Sequence, residues 1–136
     1  MKNDTFPFSL PLVLDGATGT ELIKAGMPAG VNVQAFVLDN PDVIKKIHKE
    51  YIAAGADIIE TNTFSANAVS QAEYGCSGHA ERMAFEGARI AREAADEAAE
   101  TAASIGMSRK VLVAGSIGPT SKSLSLSPDT GNPAYR

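Results

Sequence analysis

Three short apolar runs constrain this chain more than anything else in it. They are residues 11–15 (PLVLD), 58–60 (IIE, led in by Ala56-Asp57) and 111–114 (VLVA), and Gly16 and Gly115 stop the first and the last. None alternates apolar with polar, which suits parallel strands covered on both faces. Helical patterns lie between them. Asn40-Pro41 opens the first, since Asn caps a helix start and Pro fits its first turn. Val43, Ile44, Ile47, Tyr51 and Ile52 then recur on one face, Lys45, Lys46, Lys49 and Glu50 lie largely off it, and Gly55 ends it. The second pattern covers residues 80–104. Its stripe of Met83, Ala84, Ala88, Ala91, Ala95, Ala98 and Ala102 is small enough for close packing on a sheet, and Gly106 ends it. Arg82 with Glu86, and Arg89 with Glu93, are four-apart opposite charges. A short helical turn is expected at 21–25, closed by Gly26, and everything after Ser116 reads as loop.

Strand, helix, strand, helix, strand implies right-handed crossovers and a parallel sheet. An open doubly wound sheet and a (β/α) barrel both satisfy that pattern. Eight βα units need about 250 residues, and this chain has 136. A complete open sheet seldom carries three strands and a long structureless tail. The chain therefore reads as interrupted.

Hydrophobic residues make up 44% and charged residues 21%, enough for a core. A net charge of -4 and a pI near 5.1 exclude the basic footprint of a nucleic-acid binder. No apolar run approaches the roughly 18 residues of a membrane helix. The N-terminus lacks the apolar region and cleavage site of a signal peptide, which points to the cytoplasm. Cys76 is the one cysteine, and His48 and His79 are the two histidines, so no self-contained zinc site of the usual kind is expected. Cys76 reads as a loop thiol without a role, His48 as part of a solvated helix face, and His79 as a helix-start or surface residue.

In parallel α/β folds ligands bind at the carboxyl ends of the strands. The sequences there are Asp15-Gly16-Ala17-Thr18-Gly19-Thr20, Glu60-Thr61-Asn62-Thr63-Phe64 and Gly115-Ser116-Ile117-Gly118-Pro119-Thr120. All three are polar, rich in small residues, and expected to converge. Gly16 and Gly19 let backbone N–H groups approach a carboxylate or phosphate, and Asp15 offers an acceptor for an amine. The alternative for this segment is a plain turn capped by Asp15. Its GxxG spacing is not a dinucleotide fingerprint. Glu60 in a barrel interior needs a partner or a ligand amine, and Asn62 offers donors and acceptors. Here the alternative is a polar cluster that only ties the loop down.

LVLDGATGTEL, NPDVIKKIHKEYIAAGADIIETNTF and VAGSIGPT resemble the homocysteine S-methyltransferase family, most of all the N-terminal homocysteine-binding module of cobalamin-dependent methionine synthases. The likeness runs over residues 11–136. It implies the first three βα units of a (β/α)8 TIM barrel, one partial domain over 1–136 that breaks off after the third strand. It also implies a methyltransferase of methionine synthesis, in which zinc held by three cysteines binds homocysteine as thiolate. Those cysteines are expected beyond Arg136, Cys76 matches none of them, and so no metal and no catalytic group are expected within this chain. Cobalamin would belong to other domains, and the methyl donor stays open. The resemblance carries a substrate-binding role onto Asp15, Gly16, Thr18, Gly19, Thr20, Glu60, Asn62, Thr63, Phe64, Gly118 and Pro119. Homocysteine is then the expected partner, with neither nucleic acid nor membrane. The alternative is a truncated, inactive half-barrel. Either way, an uncovered sheet edge favours a homo-oligomer.

Overall fold

The structure, a computed structural model, describes residues 11–120, 122 and 131. Most of the expected tail after Ser116 falls outside them. The elements in chain order are α1 (Thr18–Lys24), α2 (Val33–Asp39), α3 (Pro41–Ala54), β1 (Ile58–Glu60), α4 (Ala68–Ala72), a 3-10 turn (Ser77–His79), α5 (Ala80–Ser104) and β2 (Leu112–Ala114). This is the expected mixed α/β alternation, and its strands are parallel. Ile58, Ile59 and Glu60 pair with Leu112, Val113 and Ala114. On the other edge of β1 a single parallel bridge joins Leu14 to Ile58.

The first expected strand is thus reduced to one bridge, held by Ile58 N–H to Val13 O at 3.1 Å and Asp15 N–H to Ile58 O at 3.0 Å. Nor is it covered on both faces: Val13 is 55% and Leu14 52% exposed. Successive strand residues point to opposite faces, so two exposed neighbours leave this edge segment bare on both. Among the described residues the helices cover β1 on one face. Ile59 points to that side and is fully buried, while its neighbour Glu60 is exposed.

α3 and α5 form the covering layer. Proline at the first turn starts α3, and Gly55, left-handed at φ 112°, ends it. One core cluster joins Ile52, Ala56 and Ile59 to Ala91, Ala94, Ala95 and Val111. A second joins Leu22, Met27, Val37, Ile44 and Ile47 to Ile90. The face of α5 is turned slightly from the expected stripe. Gly87, Ile90 and Ala94 are buried, whereas Ala88 is exposed, because α5 packs against α2, α3 and β2 at once. Charges frame the seam. Lys45 reaches Glu93 and Glu97, and Lys49 reaches Glu97 at 2.8 Å. These lysines hold the Glu97 carboxyl down to about 2. Arg89 pairs with Glu93 as expected, but Glu86 turns to Arg89 and not to Arg82. Arg109 donates to Ile52 O at 3.0 Å and Ala56 O at 2.8 Å, tying the end of α3 to the approach of β2.

His48 departs from its expected place on a solvated face. It is fully buried, one turn from both Ile44 and Ile52, and neither ring nitrogen has a hydrogen-bond partner. The lysines to either side take the solvent, and the helical period turns His48 toward α5. α2 and α4 were not expected either. Each is one to two turns long, too short for a periodic apolar face, and each starts on an Asn cap: Asn32 Oδ1 accepts from Gln34 N–H and Ala35 N–H, and Asn67 Oδ1 from Ser70 N–H.

Burial lowers the His48 pKa from its ordinary 6.5 to about 4. Between those values the unfolded chain binds the extra proton, so stability is full above pH 6.5 and falls as pH drops toward 4. At about 1.4 kcal/mol per pH unit, the loss is on the order of 3 kcal/mol. Urea unfolding at pH 7.5 and 4.5 should show it, and His48→Leu should remove that part of the pH dependence. A second expectation concerns Gly87, where an added Cβ would lie 2.6 Å from Thr63 Cγ2. Gly87→Ala should cost about 1–2 kcal/mol, overpacking outweighing the gain in helix propensity. Adding Thr63→Ser, which deletes that methyl, should recover part of the loss in a double-mutant cycle.

Candidate functional site

The carboxyl ends of the Leu14 segment, β1 and β2 open into one cavity of about 580 Å³. The first segment contributes Gly16, Ala17, Thr18 and Gly19; the end of β1 and the chain after it contribute Glu60, Thr61, Asn62, Phe64 and Ser65; the chain after β2 contributes Ser116, Pro119 and Thr120. The far wall comes from α2 (Val33, Gln34) and from Ser70, Glu73 and Tyr74 in and after α4. The three strand-end motifs therefore do converge.

Of the eleven residues singled out from sequence, Gly16, Thr18, Gly19, Glu60, Asn62, Phe64 and Pro119 line the cavity. Asp15, Thr20, Thr63 and Gly118 lie behind it and hold it in shape. Asp15 Oδ2 accepts from Glu60 N–H at 3.0 Å, a strut between the first segment and the end of β1. Burial pushes the Asp15 carboxyl above its usual range; the hydrogen bond from Glu60 N–H opposes the rise and the charge of Glu60 adds to it. Thr20 Oγ1 donates to Ala17 O at 3.2 Å within α1.

Thr63 belongs to a closed ring. Its hydroxyl donates to Ser116 O at 2.8 Å, and Ser116 N–H donates to Thr61 Oγ1 at 3.0 Å. With the Thr63 proton committed, the 2.6 Å contact between the two hydroxyls is a donation from Thr61 to Thr63. This ring and Gly118 N–H to Phe64 O at 2.9 Å stitch the loop after β1 to the loop after β2. Gly118 lets the half-exposed Phe64 ring lie against it: a Cβ there would stand 2.5 Å from Phe64 Cε1, and the ring would have to turn away.

The two glycines of the first motif act differently from the expected sharp turn. Neither has positive φ. A Cβ at Gly16 would meet the Tyr51 hydroxyl at 3.0 Å, and that hydroxyl donates to Ala17 O at 3.3 Å. Gly16 therefore lets Tyr51 pack beneath the cavity floor. Gly19 is an ordinary residue of α1 with open space where a Cβ would go.

Glu60 and Glu73 are the charged residues of the lining, both carboxylates. That suits the cationic end of a ligand. Asn62 is buried, with one amide N–H directed at Val33 O at 3.5 Å. Sequence reasoning missed the whole α2–α4 wall, for which the Asn32 and Asn67 caps were the available signals. The donor set does not fit zinc: among the described residues no group of three or more His, Cys, Asp or Glu lies together. The half-buried Cys76 thiol approaches Tyr74 O at 3.3 Å. No described helix is long and apolar enough to cross a membrane.

The sequence profile described as "Homocysteine S-methyltransferase" matches residues 12–135. Three solved structures of the homocysteine methyltransferase MmuM from Escherichia coli share the described fold. The metallated form superposes with a TM-score of 0.68 at 30% identity, over 79% of this chain and 38% of that one. The oxidised form gives 0.68 at 32% identity, over 79% and 37%. The apo form gives 0.54 at 28%. The chain thus spans little more than a third of the length of these relatives. With parallel strands whose ends meet in one cavity, and a profile match running from residue 12 to residue 135, the chain belongs to the homocysteine S-methyltransferase family.

Proposed function

We propose that this chain forms the amino-acid-binding part of a zinc-dependent homocysteine S-methyltransferase built on a (β/α)8 barrel. The observation that carries this reading is the cavity where all three strand-end motifs meet. In the proposal the Glu60 carboxylate takes the ammonium group of homocysteine. The second N–H of the Asn62 amide is then available to its carboxylate. Asp15, Thr63 and Gly118 act indirectly, by fixing the strand ends that carry those groups. A metal-bound thiol loses its proton near neutral pH, which is the chemistry zinc supplies in this class of reaction. The residues described here offer that ion no ligand set, so this chain's share is to bind and orient the amino-acid end.

A second reading, a self-associating piece without catalysis, is favoured by exposed apolar side chains on the open face and beyond it: Val13, Leu14 and, at 93%, Ile117. The two readings are compatible, with binding carried by the cavity and self-association by the open face. Static light scattering on the 136-residue chain should then give at least a dimer; a stable monomer would count against the second reading.

Calorimetric titration with L-homocysteine tests the first. Glu60→Gln should weaken binding about tenfold or more, the worth of a charge-assisted hydrogen bond of about 1.5–3 kcal/mol. 4-Mercaptobutanoate, which lacks the ammonium group, should bind the wild type and the variant equally weakly. Equal affinity of both proteins for homocysteine would remove Glu60 from the site.

A further inference from the structure

Behind the α2–α4 wall two side-chain amides meet face to face. Asn32 Nδ2 donates to Gln71 Oε1 at 2.6 Å, and Gln71 Nε2 approaches Asn32 Oδ1 at 3.5 Å. The residues stand 39 positions apart; Gln71 is fully buried and Asn32 is 8% exposed. Each amide has a further task. Gln71 Nε2 donates to Ser65 O at 2.9 Å, and Asn32 Oδ1 caps α2 through Gln34 N–H and Ala35 N–H. The pair therefore clamps together the start of α2, the loop after β1 and α4. Each of these puts residues on the cavity wall: Gln34, Ser65 and Glu73 among them. A buried glutamine contributes less to packing than a leucine or methionine, and it is satisfied here only because its partners stand in this one arrangement.

We propose that Gln71, acting with Asn32, is the positioning residue of this site: it sets the distance between the α2–α4 wall and the β1 loop, and through it the affinity for the amino-acid ligand. The affinity part rests on the homocysteine-binding reading above. The positioning part does not, and it is read without ligand.

Two variants of the 136-residue chain test it. Gln71→Met keeps the length of the side chain and removes all three of its hydrogen bonds. Asn32→Asp keeps the oxygen that caps α2 but sets two acceptors 2.6 Å apart in place of the Asn32 to Gln71 bond. Amide exchange followed by NMR should quicken at least tenfold at Asn67 N–H, which bonds Ser65 O, and at Gly118 N–H, which bonds Phe64 O. Interior amides of α5 should keep their wild-type rates. Unchanged exchange at Asn67 and Gly118, or a uniform rise that includes α5, would overturn the proposal. Should Gln71→Met not fold, Asn32→Asp decides by the same criterion. For homocysteine, Kd should rise at least tenfold in both variants with the α5 rates unchanged; an unaltered Kd would sink the affinity part. If the wild type itself does not bind homocysteine, the function proposed above fails, and the exchange rates alone judge the clamp.

Discussion

The site depends on β1 being bonded along both edges. Val13 and Asp15 hold one edge, and Leu112 to Ala114 hold the other in register. Parallel pairing makes all three segments leave the sheet at the same end, so polar residues far apart in sequence must meet there. β1 itself is three residues long, too short to be stable alone. Its place is held by Ile59 against the α3–α5 layer and by Arg109 across the helix end. A lost contact in that layer is therefore also a displacement of the cavity.

The cavity separates into groups that line it and groups that brace them. Glu60, Asn62 and Phe64 face inward. They are braced by the Asp15 strut, by the ring in which Thr63 ties together Thr61 and Ser116, themselves part of the lining, and by the contact of Gly118 with Phe64. Polar residues at strand ends thus take two roles that look alike in a motif. Thr61 and Thr63 satisfy one another and the backbone, while Glu60 has its side chain left for something else. Buried polar groups held by several partners resist reorganisation, which is what a binding wall requires of its support.

Local signals made much of this legible beforehand. Pro41 and Gly55 bound α3, as their backbone preferences require, although the Asn40 side chain makes no cap hydrogen bond and donates back to Phe36 O instead, and the alanine-rich stretch is one continuous helix. Convergence of the three motifs followed from parallel topology alone. Other features had no local signature. His48 sits among lysines and glutamate in sequence, and only the rotation of α3 against α5 decides that it is buried. Asn32 and Gln71 find each other across 39 positions through helices too short to show a period. Gly16 looks like a turn glycine, yet what it accommodates is the ring of Tyr51 from a different helix.

By itself, then, the sequence determined the alternation of strand and helix, the parallel sense of the pairing and the identity of the polar strand ends. These rest on backbone preferences and short-range periodicity, which act within a few residues. The tertiary structure alone decided which of those polar groups face the cavity and which bond one another. It also reduced the first strand to a single bridge and joined the α2–α4 wall to the site. Such outcomes turn on contacts between segments tens of residues apart, where a hydrogen bond forms only if packing has already brought donor and acceptor within about 3 Å.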